Sequence, residues 1–177
     1  IERAIYRFLV TPLAEQAVIE RKITGVNHEV LLRNTQTGLY SKSYFEHEVK
    51  RELVRAERYK SPYSLILVRI NKFNEIAQMH PTEATQFAES IFKAVSAGLR
   101  TLDTTCVWSM DSLGILLSET PKSNARVVVQ RIQQNVAGLE YLYSIRKPSV
   151  SLGLAGSDDG HKSVGDLLAA AERSLAE

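Results

Sequence analysis

The sequence predicts an α+β or α/β sandwich with a β-hairpin at its centre, and three observations lead to this fold class. Helical and strand-like hydrophobic periods alternate along the chain. Two short strand patterns separated by a few residues indicate the hairpin. The 177 residues, 44% hydrophobic and 24% charged, suffice for one domain with a full core.

Residues 1–33 are predicted to form an N-terminal signalling helix. An apolar stripe recurs in it at steps of four, three and four residues, the spacing of a coiled-coil seam, through Ile19, Ile23, Val26 and Val30. About two heptads do not decide between a dimer seam and packing of this helix on its own domain. Both alternatives stay open, and the domain itself is expected over residues 34–177.

Within the domain, hydrophobic spacing and turn residues predict eight elements. A helix begins at about Ser43, which has capping-box spacing with Glu46, and Pro62 breaks its pattern. The later elements are a buried strand at 63–70, helical residues 72–99 split near Pro81, hairpin strands at 105–108 and 113–117, a helix at 121–136, a strand at 149–155, and a helix at 163–177 capped by Ser163 and Asp166.

Composition and charge argue against several functional classes. The 22 Lys and Arg nearly balance the 20 Asp and Glu, so no overall field favours DNA or an anionic membrane. No apolar run approaches the roughly 18 residues of a membrane span. The single cysteine, Cys106, fits a reducing cytoplasm, and its apolar strand favours a buried side chain over a nucleophile. Because the chain starts without Met and stops inside a predicted helix, we expect a fragment of a longer protein.

Several segments, in a fixed order, carry a family resemblance. They are NTQTGLYSKSYF at 34–45, YSLILVRINKF at 63–73, SMDSL at 109–113, VSLG at 150–153 and LLAAAERSL at 167–175. The sequence resembles the GGDEF domain family, the diguanylate cyclases that condense two GTP molecules into cyclic di-GMP. The resemblance implies a mostly antiparallel, five-stranded sheet flanked by helices, preceded here by the long N-terminal helix.

The chain departs from this family at the positions that the resemblance assigns to Mg²⁺ and GTP. Arg69 and Asn71 stand where the family has two aspartates, and a cation repels Mg²⁺. Ala77 and Gln86 replace the two residues that read guanine. The loop that gives the family its name has become Ser109, Met110, Asp111, Ser112 and Leu113, in which Asp111 keeps one carboxylate and no glycine remains.

These departures lead to the prediction that the domain is degenerate, is not an enzyme, and uses neither Mg²⁺ nor another cofactor. Phosphoryl transfer depends on metal and positioning, and most of the residues that would supply them are replaced.

The resemblance also implies a second site, the inhibitory site that binds the product. In the family it is an RxxD motif five residues before the loop, and Arg100 and Asp103 occupy that place. A guanidinium can donate two hydrogen bonds to guanine O6 and N7, and a carboxylate can accept from guanine N–H groups. A second family arginine aligns with Arg131, which could meet a second guanine or a phosphate. The alternative is an ordinary Arg–Asp pair at a helix end.

We therefore predict a non-catalytic cyclic di-GMP receptor of the bacterial cytoplasm that regulates a partner or a neighbouring domain. The alternative is a nucleotide-free degenerate domain that serves as a dimerisation or interaction scaffold. A homodimer through the N-terminal helix or through bound ligand, and an unidentified protein partner, are also expected. Trp108 is open between base stacking and packing, and Arg126 has no assigned partner.

Overall fold

The structure is a computed structural model that describes residues 39–140, 147–161 and 163–175. The helix predicted at 1–33, its apolar stripe and its boundary with the domain lie outside the described residues. None of the described helices is long and apolar enough to span a membrane.

The described elements follow the predicted order, with bounds that differ by a few residues. They are α1 (Lys42–Tyr59), β1 (Tyr63–Ile70), α2 (Phe73–Met79), α3 (Ala84–Ser96), β2 (Thr104–Ser109), β3 (Ser112–Ser118), α4 (Lys122–Ala137), β4 (Val150–Gly156), a 3₁₀ turn (Ser157–Asp159) and α5 (Val164–Leu175). The split near Pro81 is confirmed, because α2 ends before it and α3 begins after it.

The cap of helix α1 differs from the prediction. Ser41, not Ser43, is the N-cap: its backbone is extended and its Oγ accepts a hydrogen bond from the Tyr44 N–H at 3.3 Å. A cap must lie outside the helix to satisfy an N–H of the first turn, and Ser43 already lies inside it. The cap of α5 is confirmed, since Ser163 Oγ accepts from the Asp166 N–H at 3.1 Å.

The strands form one sheet in the order β2-β3-β1-β4, and every neighbouring pair is antiparallel. The expected antiparallel character is confirmed. The expected count of five is corrected to four strands within the described residues. Strand β1 is central and β2 lies at one edge.

Helices cover both faces of the sheet, as a sandwich requires. On one face Ile66, Val68 and Ile70 of β1 belong to a buried cluster with residues of α2, α3 and α4. On the other face Leu65 and Leu67 belong to a second cluster with residues of α1 and α5. Successive side chains of a strand point to opposite faces, so β1 serves both cores.

Two glycines let helices approach the second face closely. Gly114 and Gly153 lie opposite Leu67 on the two neighbouring strands. A methyl group added at Gly114 would lie 3.0 Å from Phe45 Cε1, and one added at Gly153 would lie 1.9 Å from the backbone oxygen of Ala171. The close packing of α1 and α5 on the sheet therefore requires glycine, which has no side chain, at positions 114 and 153.

Replacement of Gly153 by alanine is expected to destabilise the domain by about 3 kcal/mol, because α5 must move off the sheet to admit the methyl group. Urea unfolding measures the loss. Gly165→Ala is the matched control, since its nearest neighbour would be Ser163 Oγ at 3.8 Å and alanine favours the helix. Equal stability of the two variants would contradict this account of the packing.

Cys106 of β2 is fully buried, as predicted, on the face of the sheet that α1 covers. Burial raises the pKa of its thiol to about 12. At about pH 8 only about one thiol in ten thousand would then be ionised, and the thiolate is the reactive form.

We expect Cys106 in the folded domain to react with a disulfide reagent only as fast as the domain opens, and at once after unfolding in guanidinium. Absorbance of the released chromophore measures both rates. Rapid labelling of the folded domain would show that this part of the second core is open to solvent.

Candidate functional site

The RxxD turn, residues Arg100–Asp103, connects α3 to the edge strand β2. The Arg100 N–H donates a hydrogen bond to Asp103 Oδ2 at 2.7 Å, and the Asp103 N–H donates to the Arg100 backbone oxygen at 3.1 Å. These two bonds close the turn. The Asp103 carboxylate therefore stabilises the turn itself, because it fixes the backbone from which the Arg100 side chain extends.

The arginine of this turn keeps its charge uncompensated. Arg100 is exposed, and it makes no salt bridge with Asp103 or with any other residue in the described part of the chain. The alternative interpretation, an ordinary Arg–Asp ion pair, does not match this geometry. Leu102, at the tip of the turn, is 84% exposed and offers an apolar surface beside the charge.

Arg131 is an exposed residue of α4, one helical turn before Asn135, which contacts α3. Asn135 donates through Nδ2 to the Ala94 backbone oxygen at 3.2 Å, and a methyl group at Gly98 would lie 3.6 Å from Ile132 Cγ1. The two helices therefore run antiparallel, and the segment after Gly98 corresponds to the turn of α4 that precedes Asn135. Arg131 shares a face with Asn135 at i,i+4 spacing, which puts it level with the start of the RxxD turn.

Sequence reasoning missed a link between this turn and the N-terminal side of the domain. The Tyr40 N–H donates to the Thr105 backbone oxygen at 2.9 Å, and Tyr40 forms an isolated parallel bridge with Cys106. Thr105 follows Asp103 by two residues. The chain entering α1 is thus hydrogen-bonded to β2 directly beside the RxxD turn, and a single polar contact between backbones leaves no side-chain pattern in the sequence.

The hairpin loop organises its one carboxylate by local hydrogen bonds. Asp111 Oδ1 accepts from the hydroxyls of Ser109 and Ser112, the latter at 2.8 Å. The Asp111 backbone oxygen accepts from the Ile70 N–H at 2.8 Å. Met110 packs against the first core cluster, and Leu113 is fully buried. These hydrogen bonds fix the conformation of the loop, and they direct the Asp111 carboxylate toward the hydroxyls of Ser109 and Ser112.

The other replaced positions surround the end of β1. Arg69 is exposed and lies in register between Ser112 of β3 and Ser151 of β4. The Asn71 side chain accepts from Ser151 Oγ at 2.7 Å and donates to Ser149 Oγ at 3.3 Å. The end of β1 is therefore lined by hydroxyls, an amide and one guanidinium.

The two positions that correspond to guanine reading lie on the neighbouring helices. Ala77 of α2 packs against the first core cluster, and Gln86 of α3 is exposed. Between the described residues of these helices and the loop no hydrogen bond from either side chain is present, and Ala77 has no polar side-chain atom with which to make one.

The residues at the family's metal position do not fit Mg²⁺. That ion prefers carboxylate oxygens, and Arg69 brings a permanent positive charge to one of the two expected aspartate positions. One carboxylate oxygen of Asp111, Oδ1, already accepts hydrogen bonds from the hydroxyls of Ser109 and Ser112. Within the described ranges no three His, Cys, Asp or Glu side chains come together as a metal-binding group. The expectation that the domain works without Mg²⁺ stays a prediction.

Trp108 packs. Its ring meets Phe45 edge to face with centroids 6.3 Å apart, and Lys42 Nζ lies 3.9 Å from the ring centroid. The indole is part of the second core and carries a cation on its face. Of the two interpretations offered by the sequence, the contacts favour packing.

A family model described as "Diguanylate cyclase, GGDEF domain" matches residues 32–177. The chain belongs to the GGDEF family. The match covers every described element and both candidate sites, so the resemblance read from the motifs is confirmed.

Relatives and solved structures agree with this family. The probable diguanylate cyclase DgcT of Escherichia coli (strain K12) is 21% identical over 159 residues, which cover 86% of this chain and 34% of DgcT. The chain therefore spans about a third of that relative's length. The coiled coil and GGDEF domain of DgcB from Caulobacter crescentus, in complex with c-di-GMP, matches with a TM-score of 0.76, 15% identity, and coverage of 99% of this chain and 91% of that one. The FimX GGDEF domain from Pseudomonas aeruginosa matches with a TM-score of 0.73, 17% identity, and coverage of 82% and 91%.

The prediction that the domain is not an enzyme is contradicted by these comparisons. The family is that of diguanylate cyclases, the curated relative is a probable diguanylate cyclase, and similar structures include the active GGEEF domain of a diguanylate cyclase from Vibrio cholerae. The prediction rested on replaced side chains alone, and replacement does not measure turnover.

Replacement of Asp103 by alanine is expected to accelerate hydrogen exchange of the Arg100 amide about tenfold or more, because it removes a charged acceptor from that N–H. NMR exchange rates measure the effect. Asp158→Ala is the matched control, an exposed aspartate whose Oδ1 accepts a long hydrogen bond, of 3.4 Å, from Ser157 Oγ. An unchanged Arg100 rate in the Asp103 variant would show that the turn is closed by other contacts.

Proposed function

We propose that this GGDEF domain is a cyclic di-GMP receptor that binds the dinucleotide at Arg100 and Asp103, with Arg131 as a further contact. The observation that carries the proposal is the exposed Arg100 guanidinium, which lacks an ion-pair partner in the described part of the chain while its backbone is held by Asp103. A cation held in place and not neutralised is suited to receive an anionic or acceptor-rich ligand.

The chemistry of guanine matches this turn. Its O6 and N7 can accept two hydrogen bonds from the Arg100 guanidinium, a fork geometry that lysine does not offer. Asp103 uses Oδ2 for the turn, and no hydrogen bond to its Oδ1 is found among the described residues. That oxygen can accept from a guanine N–H, while the exposed Leu102 contacts the purine face.

Arg131 supplies the second positive charge of the proposed site. Because α3 and α4 run antiparallel, its side chain starts level with the RxxD turn. A guanidinium there is available to a phosphate of the dinucleotide or to a second guanine. The DgcB structures from Caulobacter crescentus, which contain c-di-GMP, support the choice of ligand.

A receptor needs a route from ligand to output, and the bond between Tyr40 and Thr105 offers one. Ligand at the RxxD turn bears on the start of β2, and β2 is bonded to the segment that leads into α1. A ligand that binds one arrangement of this junction more tightly shifts the population toward it. The neighbouring domain or partner that reads this shift, and the bacterial cytoplasm as its location, are parts of the proposal.

The proposal concerns binding and is independent of GTP turnover, which a separate assay measures. If the domain binds no nucleotide, the remaining candidate is a dimerisation or interaction scaffold.

Calorimetric titration with cyclic di-GMP is expected to give saturable binding. Arg100→Ala is expected to weaken it about 10- to 100-fold, the range for hydrogen bonds to a charged group, and Arg131→Ala about tenfold. A stoichiometry near two ligands per domain would indicate a stacked ligand dimer that engages Arg131.

Arg51→Ala is the matched control, an exposed arginine of α1 whose partner is Glu48 at 2.9 Å. It is expected to bind cyclic di-GMP like the unaltered domain, since exposed pairs contribute little to stability. Absence of heat with cyclic di-GMP, or binding that Arg100→Ala leaves intact, would refute the receptor proposal.

A further inference from the structure

A second basic site lies away from the RxxD turn and the hairpin loop. It is a cleft of about 560 Å³ between the first turns of α4, the last turns of α5 and the 3₁₀ turn after β4. Lys122 and Arg126 line one wall and Arg173 the other, with Asp159 and His161 at the 3₁₀ turn. We call it the α4–α5 cleft. Its volume falls in the range of small-molecule sites.

Asp159 is the one acidic residue among the described residues that line the cleft, and Lys122 neutralises it. Lys122 Nζ donates to both carboxylate oxygens of Asp159, at 2.8 and 2.9 Å, and the Gly156 N–H donates to Oδ2 at 2.9 Å. Partial burial works against the ionised form, but these bonds prevail and hold the pKa of Asp159 below its ordinary value. Asp159 therefore stays charged at neutral pH, and its charge is cancelled by Lys122.

The two arginines of the cleft are left with their charges uncompensated. Arg126 and Arg173 are exposed and make no salt bridge with any residue that the structure describes. They approach the same cleft from helices that are distant in sequence. No acidic residue lies in the first turn of α4, where a helix favours anions. Among the described residues that line it, the cleft thus carries a net excess of two positive charges.

Two further features point to a small ligand with polar and apolar parts. His161 Nε2 is buried, has no hydrogen-bond partner in the described ranges, and lies 3.6 Å from Asp159 Oδ2. Leu154 and Ala170 add apolar surface, and Ser174 adds a hydroxyl. The two guanidinium forks offer donors that match phosphate oxygens.

We propose that the α4–α5 cleft binds a phosphate-bearing small molecule of nucleotide size. Arg126 and Arg173 grip the phosphate groups, while Leu154 and Ala170 contact the less polar part of the ligand. The site is distinct from the proposed cyclic di-GMP site, and neither depends on the other.

Inorganic pyrophosphate, ADP and citrate serve as probes, each titrated into the unaltered domain. Pyrophosphate is expected to bind saturably, and NMR shift changes are expected at Leu154, Ala170 and the start of α4. Arg126→Gln and Arg173→Gln are each expected to weaken binding about tenfold or more. Tighter binding of ADP than of pyrophosphate identifies a nucleotide ligand, and equal binding identifies a ligand recognised by its phosphates.

Arg51→Gln is the matched control and is expected to bind pyrophosphate like the unaltered domain. Both cleft arginines are exposed, so their variants are expected to fold, which circular dichroism checks. Citrate that binds as tightly as pyrophosphate would overturn the preference for phosphate. Absence of binding by the phosphate probes, shift changes at the RxxD turn in place of the cleft, or unchanged affinity in both arginine variants would overturn the site itself.

Discussion

The structure depends on the burial of β1 from both sides. This strand is hydrogen-bonded to β3 along one edge and to β4 along the other, and its side chains alternate between two cores. Burial of each large apolar side chain contributes about 1.5–3 kcal/mol before entropy is counted, so one short strand organises the packing of all five helices. Because both faces of the sheet are covered by helices, polar side chains that could bind a ligand lie at strand ends, in turns and on the flanks of helices.

The candidate sites follow this constraint. Arg69 is the one exposed residue of β1, between the buried Val68 and Ile70, and it lies in register with serines on both neighbouring strands. The RxxD turn lies where α3 gives way to the edge strand, so its backbone needs partners that the sheet does not supply. Asp103 provides one of them. The carboxylate that was expected to read a ligand holds the backbone of Arg100, and no ion pair between the two side chains is present in the structure.

Much of the fold was predictable because the spacing of apolar residues along the chain indicates helices and strands. Strand β1, the split near Pro81, the hairpin and the cap at Ser163 follow from periods and turn chemistry that act within a few residues. The α1 cap was misplaced because Ser41 and Ser43 both precede the helical pattern, and only the backbone angles distinguish them.

The candidate sites were predictable as residues and not as environments. The resemblance assigned Arg100, Asp103 and Arg131 to a ligand site, which stays a prediction, but the closure of the turn by backbone hydrogen bonds is a matter of geometry that the sequence does not show. The α4–α5 cleft escaped sequence reasoning for a different reason. Arg126 and Arg173 are far apart in the chain, and their shared cleft follows from how α4 and α5 pack against β4. The prediction about enzymatic activity failed because a list of replaced side chains was treated as a measurement of function.

Helix α4 connects the two proposed sites. Arg126 and Arg131 are five residues apart, which turns them about 140° around the axis and separates them by about 7.5 Å along it. The buried stripe of α4, from Ala125 to Val136, lies between these two flanks. One flank meets the end of α3 beside the RxxD turn, and the other faces the α4–α5 cleft. A ligand at either proposed site would therefore contact the same packed helix, and a difference in its affinity for two positions of α4 would couple the sites reciprocally.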